Sequence, residues 1–171
     1  SEPLVPKGYE IAHEQFRLPI DPASRSFSVQ GPALQCSENG NLLSVQSSRV
    51  AFVFDKSTGL VTSYKVKGTE YFHEGFGIQP NFWRAPNDND YGSQMPKRLQ
   101  IWKQSSKNFN VVDASLAMDG KDAVLKVSYL LAAGNLYIAT YRIHPSGVVK
   151  ANYTFTSTEM EAAKTEASEA T

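Results

Sequence analysis

The length, composition and charge of this chain set the first limits on what it can be. Its 171 residues are enough for one medium domain, or for one domain and a remnant of another. Because 17 basic and 17 acidic side chains cancel, we expect neither nucleic acid nor a membrane among its partners. The single cysteine, Cys36, excludes an internal disulfide and a cysteine-rich zinc site.

The first segment alternates imperfectly and ends in a linker. Tyr9, Ile11 and His13 fall on one side of an extended chain and Phe16 falls on the other, which predicts a bulge or a shift between two faces. Prolines and small polar residues follow at 19–25, a composition typical of linkers. The sequence therefore predicts a domain boundary near residue 25.

The stretch from residue 49 to residue 66 predicts a hairpin. Residues 49–54 are rich in β-branched and aromatic side chains, which favour strands. Residues 55–59 end in a glycine and predict a turn, and residues 60–66 predict a second strand. With a period of two, one face of this second strand would carry Leu60, Thr62, Tyr64 and Val66.

The second half of the chain repeats this pattern. Extended runs are predicted at 111–118, 123–132, 136–143 and 148–155, and turn residues separate each run from the next. The sequence has no nucleotide-binding signature and no alternation of helix and strand, so an α/β fold is not expected. The predicted fold class is all-β, with antiparallel hairpins in a sandwich or a barrel.

Only two stretches have helical character. Residues 96–103 predict one or two turns, with Pro96 at the first helical position and Leu99 and Trp102 on one face. The tail at 159–171 has good helix formers but almost no apolar stripe that would hold a helix against a core. It is predicted to be a flexible end or a surface insertion.

The most informative stretch is residues 81–92, which reads Asn-Phe-Trp-Arg-Ala-Pro-Asn-Asp-Asn-Asp-Tyr-Gly. Aromatic rings followed by short amides and carboxylates suit a site that reads sugar hydroxyls, and equally a tightly hydrogen-bonded loop. Asp88 and Asp90 could face one way, but short Asp and Asn side chains often bond to their own backbone in turns. The residues themselves leave both interpretations open.

The acidic residues and histidines of the chain do not predict a metal site. The oxygens of Asp88 and Asp90 suit Ca²⁺ or Mg²⁺, but an EF-hand loop would need a glutamate where Arg98 stands. The three histidines show no ligand spacing: His13, His73 and His144. We therefore predict no metal ligand in this chain.

The run at 81–92 resembles a signature of the C-terminal part of glycoside hydrolase family 2 β-galactosidases, roughly Phe-Trp-Arg-Ala-Pro-Thr-Asp-Asn-Asp-Arg-Gly. Residues 8–18 are similar to that family's Gly-Tyr-Glu-Ile-Ala-Trp-Glu-Gln-Phe-Arg-Leu, with His13 in place of the Trp. Residues 54–60 resemble its Phe-Asp-Lys-x-Thr-Gly hairpin, and Trp102 stands where family members have a Trp after the loop. The matches follow one another in the family's order.

The resemblance implies an architecture and a set of partners. Residues 1–25 would be the last strand of a preceding immunoglobulin-like domain with its linker, and residues 26–171 the N-terminal portion of the small-chain domain. That domain is an antiparallel supersandwich like galactose mutarotase, and it would be incomplete here. A TIM barrel with both catalytic glutamates would precede residue 1, so the barrel and the other domains of the parent enzyme would be partners.

The resemblance also implies roles for individual residues. The substrate-cleft loop would consist of Asp88, Asn89, Asp90 and a hinge residue between open and closed positions, Gly92. Its structural support would come from Phe82, Trp83, Arg84 and Trp102. No residue of this chain would be catalytic, and the Mg²⁺ or Na⁺ that family members often use would bind outside it.

The chain is therefore expected to be a noncatalytic fragment of a retaining β-galactosidase, inactive by itself, whose parent hydrolyses terminal β-D-galactosides. It would shape the substrate cleft and support the assembly. Two alternatives stay open: a stand-alone carbohydrate-binding β-sandwich with Trp83 and Trp102 as stacking platforms, and a purely structural scaffold domain. The compartment is not determined by the sequence; a bacterial protein of the cytoplasm or periplasm is the expectation.

Overall fold

The computed structural model describes residues 8–10, 12–16, 28–132 and 134–157. Within these ranges the chain forms two antiparallel sheets, which confirms the predicted all-β fold. Sheet A has five strands and sheet B has four, and in both sheets the strands lie in chain order. Each strand therefore pairs with the strand that follows it in the sequence.

The strands of sheet A are β1 (Gln35–Asn39), β2 (Leu42–Gln46), β3 (Val50–Asp55), β4 (Leu60–Val66) and β5 (Thr69–Glu70). Those of sheet B are β6 (Phe109–Asp119), β7 (Asp122–Leu131), β8 (Leu136–Ile143) and β9 (Val149–Thr156). Between the sheets lie a 3₁₀ turn at His73–Gly75 and three short helices, α1 (Asp88–Gly92), α2 (Met95–Arg98) and α3 (Gln100–Ser105). Among the described residues, no helix has the length and apolarity needed to cross a membrane.

Sheet A begins with a hairpin that the sequence analysis did not predict. β1 is exposed along most of its length, and in β2 only Leu43 and Val45 are buried. The turn between the two strands contains Gly40 with a φ of 58°, a left-handed conformation that glycine adopts without strain. The two loop residues, Gly40 and Asn41, form a Gly-Asn pair, a hairpin signal that could have identified both strands.

β3 and β4 confirm the predicted hairpin but not the predicted face of β4. Phe54 lies opposite Val61 and Phe52 lies opposite Tyr64, so β4 has one more residue than β3 between these two pairs. This β-bulge shifts the alternation and leaves Val61 as the buried residue of the strand. The prediction of a single face is therefore wrong, because it assumed an unbroken ladder along Leu60, Thr62, Tyr64 and Val66.

Sheet B buries one face by regular alternation. In β7 and β8 the buried side chains are Ala123, Leu125, Val127, Tyr129, Leu131, Ala139, Tyr141 and Ile143. The residues between them are more exposed, as expected for strands with one face on a core. The four strands confirm those predicted between residues 111 and 155, with ends that differ by at most two residues.

The core lies between the two sheets, as in a sandwich. Its buried side chains come mainly from β2, β3 and β4 on one side and from β7 and β8 on the other. Two hydroxyls cross it: Tyr64 donates to the carbonyl of Gly147 at 2.6 Å, and Tyr129 donates to that of Gly59 at 3.0 Å. Because a buried carbonyl without a partner costs about 1–3 kcal/mol, these bonds fix how the sheets are placed on each other.

The two ends of the chain add little to the described fold. Tyr9 and Phe16 are exposed, and residues 8–10 and 12–16 form no helix or strand. Residues 17–27, which include the predicted linker, lie outside the described residues, as does the tail at 159–171. The immunoglobulin-like strand and the boundary near residue 25 stay predictions.

Candidate substrate-cleft loop

The loop at 81–92 belongs to the long connection from sheet A to sheet B. The connection leaves sheet A at Glu70, whose carboxylate accepts the backbone N–H groups of Tyr64, Tyr71 and Phe72 at 2.9 to 3.1 Å. The Ser63 hydroxyl donates to the same carboxylate at 2.5 Å. The bond from Ser63 has the largest effect, and together these bonds lower the pKa of Glu70 to about 2. The carboxylate is therefore ionised and fixes the start of the connection.

Gly77 brings the connection close against β4. A Cβ atom at this position would lie 1.5 Å from the carbonyl oxygen of Val61, so any other residue would force the backbone to move. The ring of Phe72 lies beside the same place, 3.2 Å from that hypothetical atom. The close approach therefore requires glycine at this position.

Arg84 and Asp90 hold the two ends of the loop together. Nη1 of Arg84 donates to Oδ2 of Asp90 at 2.6 Å, and Nη2 donates to Oδ1 at 2.9 Å. Such a bidentate, charge-assisted pair fixes geometry as well as distance. Nη1 also donates to the carbonyl of Ala85 at 3.1 Å, so the guanidinium closes residues 84–90 into one compact turn.

Asn87 and Asp90 cap the start of α1 through a reciprocal pair of bonds. The Asn87 side chain accepts the backbone N–H of Asp90 at 3.1 Å, and the Asp90 carboxylate accepts the backbone N–H of Asn87 at 2.8 Å. Bonds from the Arg84 guanidinium, and then from Asn87, hold the pKa of the Asp90 carboxyl below its ordinary value. The hydrogen bonds of this carboxylate in the described structure are all with its own loop.

Asp88, Asn89 and Tyr91 carry the outward-facing side chains of the loop. All three are exposed, and within the described residues none of these side chains makes a hydrogen bond. A molecule in front of the loop would therefore meet one carboxylate, one amide and one phenol.

Gly92 ends α1 in ordinary backbone geometry. Nothing lies within 4 Å of the place that a Cβ atom would take, and its φ is outside the left-handed region. The left-handed residue of this region is Gln94, between α1 and α2, with a φ of 56° and a ψ of 25°. A residue with a side chain in this conformation carries strain of about 1 kcal/mol. The strained backbone therefore lies two residues after Gly92.

Phe82 and Trp102 connect the loop to sheet B. Their ring centroids are 5.9 Å apart, and both rings contact Phe155 of β9, at 6.0 and 5.8 Å. Phe82 also meets Tyr137 of β8 edge-on at 5.6 Å. The rings of Phe82, Trp102 and Phe155 line an open depression of about 320 Å³.

Ser106 links two residues of this aromatic cluster, and Trp83 lies outside the cluster. The Ser106 hydroxyl accepts the backbone N–H of Phe82 at 2.6 Å and donates to the carbonyl of Trp102 at 3.0 Å, which holds these two residues together. The backbone N–H of Trp83 instead donates to the Asn81 side chain at 3.0 Å. In the part of the chain that the structure describes, the half-buried Trp83 ring contacts no other aromatic ring.

The acidic residues and histidines do not gather around a common point. Among the described residues, no three His, Cys, Asp or Glu side chains could hold a metal ion together. The histidines contact single carboxylates instead, at 3.0 Å between His13 and Glu10 and at 2.8 Å between His144 and Asp122.

A match to a family of known proteins covers most of this architecture. The family described as β-galactosidase small chain matches residues 46–167, which contain the loop, the helices after it and all of sheet B. The chain belongs to the β-galactosidase small-chain family. The match begins at the end of β2.

Relatives of this small-chain protein are named β-galactosidases. It is 36% identical to a β-galactosidase of Priestia megaterium over 137 residues, which are 72% of this chain and 13% of that protein. It is 30% identical to a β-galactosidase of Kluyveromyces lactis over 130 residues, 73% of this chain and 12% of that protein. A β-galactosidase small subunit of Latilactobacillus sakei is 29% identical over 77 residues, 45% of this chain and 24% of that subunit. The chain thus spans a small part of the curated relatives that it matches.

Four residues that hold the small-chain loop in place were not predicted from the sequence. Asn87 could have been predicted from the sequence, because it stands three positions before Asp90. A capping residue followed three positions later by a side chain that can bond back to it is the pattern of a capping box. Glu70, Ser106 and Phe155 gave no signal, because their partners become neighbours only after the chain folds.

Proposed function

We propose that this small-chain protein is a noncatalytic part of a retaining β-galactosidase and that its loop at 81–92 lies at the rim of the substrate cleft. Family membership and the names of the relatives support a β-galactosidase as the parent. The parent would hydrolyse terminal β-D-galactosides with two glutamates on a TIM barrel outside these 171 residues.

The noncatalytic role rests on the way in which Asp90 is bound. A retaining glycosidase needs two carboxyl groups about 5 Å apart, one as the nucleophile and one as an acid with a raised pKa. The pKa of Asp90 is lowered, and its oxygens are bonded to Arg84 and Asn87. Asp88 alone cannot fill both roles, so the Asp88–Asp90 pair is unsuited to catalysis.

The position of the loop at a cleft rim is supported by its combination of a fixed base and free side chains. The base is fixed by the Arg84–Asp90 pair and by the contact of Phe82 with sheet B. Polar side chains on a loop that a rigid scaffold positions are typical of binding sites. Asp88 and Asn89 would face the substrate, and Asp90 would position them.

The remaining domains of the parent, the TIM barrel among them, are the proposed partners. Exposed apolar side chains recur along the connection and the helices that follow it: Tyr71, Phe76, Ile78, Tyr91, Leu99 and Ile101. Exposed apolar side chains that form a contiguous patch are typical of interaction sites, and the proposal is that these side chains contribute to such a patch. Contact with other domains would cover them and would bring the loop to the cleft.

Hydrolysis of 4-nitrophenyl β-galactoside by the purified chain tests the noncatalytic role. We expect no release of nitrophenol above the buffer rate. Asp88→Asn and Asp90→Asn should leave this background unchanged. A turnover that Asp88→Asn abolishes would overturn the proposal, because the chain would then contain its own catalytic carboxylate.

A stand-alone carbohydrate-binding module is the second candidate, because Trp102 lines the open aromatic depression with Phe82 and Phe155. In such modules sugars stack on exposed aromatic rings. The open, apolar depression would allow a sugar ring to stack in this way. Titration of the chain with methyl β-galactoside, followed by isothermal titration calorimetry, separates the candidates. Saturable binding that Trp102→Ala removes and Trp83→Ala retains would favour the module; no binding would leave the rim loop or a scaffold role.

A further inference from the structure

Residues 82–106 form an excursion of the chain whose two ends meet. The backbone N–H of Phe82 donates to the Ser106 hydroxyl at 2.6 Å, although the two residues are 24 positions apart in the sequence. The excursion contains α1, α2 and α3, and α1 begins at Asp88. The side chains that the proposed function places at the substrate, those of Asp88 and Asn89, therefore belong to a unit that is closed at Ser106.

The Ser106 hydroxyl makes this closure by accepting one hydrogen bond and donating another. A serine hydroxyl has one proton to donate and two lone pairs with which to accept. The N–H of Phe82 can only donate, so the hydroxyl accepts there and gives its own proton to the Trp102 carbonyl at 3.0 Å. The side chain thus joins the last turn of α3 to the start of the loop, and alanine at this position would remove both bonds.

The closure lies against sheet B. The ring of Phe82 is 6.0 Å from that of Phe155 in β9, and the ring of Trp102 is 5.8 Å from it. Phe82 and Trp102 are the two residues that the Ser106 hydroxyl joins. The excursion is therefore attached to the sheet at the place where its ends meet, and a change at this attachment would move the rest of the unit relative to the sheet.

A second closure inside the excursion passes this position on to α1. The bidentate pair of Arg84 and Asp90, at 2.6 and 2.9 Å, holds residues 84–90 in a compact turn. Arg84 follows Phe82 by two residues, so the inner closure begins next to the outer one. The inner closure fixes the shape of the turn, and the outer closure fixes where that turn stands on sheet B.

We propose that Ser106 is a positioning residue for the reaction of the parent β-galactosidase, because its hydroxyl sets the place of Asp88 and Asn89 at the substrate cleft. This inference rests on the proposed function of the loop. Ser106 itself would touch neither the sugar nor a catalytic group. Its loss would leave both polar side chains present but displaced, and a displacement of about 1 Å is enough to weaken a contact severely.

Kinetics of the parent enzyme with 4-nitrophenyl β-galactoside separate positioning from a structural role. We expect Ser106→Ala to raise KM about threefold to tenfold with kcat nearly unchanged, since the lost contacts would bind ground state and transition state alike. A loss of folded protein would instead lower the apparent kcat and leave KM unchanged. Ser106→Thr keeps the hydroxyl and should have a KM close to that of the wild type.

The neighbouring serine provides a matched control. Ser105 is fully buried, and within the described residues its hydroxyl has no hydrogen-bond partner. Ser105→Ala therefore removes the same group without breaking a bond and should leave KM unchanged. If Ser106→Ala fails to fold, Ser106→Thr and Ser106→Val decide the question, because these two variants have nearly the same shape and differ in the hydroxyl.

The double variant Asp88→Ala/Asn89→Ala shows whether Ser106 acts through these side chains. It should raise KM, and adding Ser106→Ala to it should raise KM no further, because the positioned groups are already gone. If the double variant raises KM and Ser106→Ala alone does not, the positioning role is wrong and the rim loop stands. If the double variant has the wild-type KM, the rim loop is wrong and this inference is wrong with it. A rise of KM in Ser105→Ala or Ser106→Thr equal to that in Ser106→Ala would also overturn the inference, since the bonded hydroxyl would then not be the cause.

Discussion

The guanidinium of Arg84 and the carboxylate of Asp90 are joined by two hydrogen bonds of 2.6 and 2.9 Å, and the same carboxylate accepts the backbone N–H of Asn87. One acidic side chain therefore holds both the segment that arrives from sheet A and the first turn of α1. Both oxygens of the Asp90 carboxylate are hydrogen-bonded within the loop. The carboxylate and the amide that face outward from the loop are therefore those of Asp88 and Asn89.

Asp90→Asn is expected to loosen α1 without unfolding the sandwich. The amide lacks the charge and one of the acceptor oxygens that bind Arg84 and the Asn87 backbone. Hydrogen exchange of the amides at 89–92, followed by mass spectrometry, should become about fivefold to tenfold faster, while exchange in β7 should not change. Asp88→Asn changes a neighbour without a bonded side chain and serves as the control; equal protection in the two variants would contradict the clamp.

Glu70 should make the start of the connection sensitive to acid. Its pKa is lowered from 4.5 to about 2, so its stabilising effect is complete above 4.5 and is lost as the pH falls through about 2. Amide chemical shifts of Tyr71 and Phe72 should follow this titration in an NMR experiment. Glu70→Gln should abolish it, and a titration near 4.5 in the wild-type chain would show that the three backbone bonds do not form.

The sequence predicts most of the strands, but it does not predict the register in which one strand pairs with the next. β7, β8 and β9 have long alternating runs, and these follow directly from the period of two. The face of β4 could not be predicted, because the bulge between Val61 and Tyr64 arises from the pairing with β3. β1 was not predicted because its exposed, polar side chains resemble a loop, although Gly40 and Asn41 marked the turn.

The same limit applies to the loop. The run at 81–92 was recognised from its residues, and the capping box is encoded by a spacing of three within it. The short helix α1 was missed, because Asn and Asp residues favour turns as much as helix starts. The cluster of Phe82, Trp102 and Phe155 joins segments that are distant in sequence, so no local pattern could reveal it.

Gly77→Ala is expected to destabilise the protein by about 3 kcal/mol or more. Its Cβ atom would meet the backbone oxygen of Val61, which cannot move without disturbing β4. Gly92→Ala is the matched control, since its Cβ atom would meet open space and alanine favours a helix by up to about 1 kcal/mol. Urea unfolding should separate the two variants, and equal midpoints would show that the connection does not pack against β4.

Tyr129→Phe should cost about 1–2 kcal/mol of stability, because it leaves the buried carbonyl of Gly59 without its hydrogen bond. Tyr64→Phe removes a similar bond to Gly147 at a less buried place and should cost less, since water can replace the hydroxyl there. Thermal unfolding of both variants gives the comparison. The opposite order would indicate that the sheets are held together mainly near Gly147.

Gly92→Ala in the full parent enzyme tests whether the region after α1 moves during turnover. The described backbone at Gly92 accepts alanine, and no atom of the described chain would meet its Cβ, so the variant should keep the fold of this region. If Gly92 is a hinge, alanine restricts that second conformation, and kcat and KM should change together. Gln94→Gly provides the counterpart: it relieves the left-handed strain at a φ of 56° and should favour the described conformation over the alternative one. Opposite shifts in KM for the two variants would support a moving rim, whereas wild-type kinetics in both would show that the loop acts as a fixed wall.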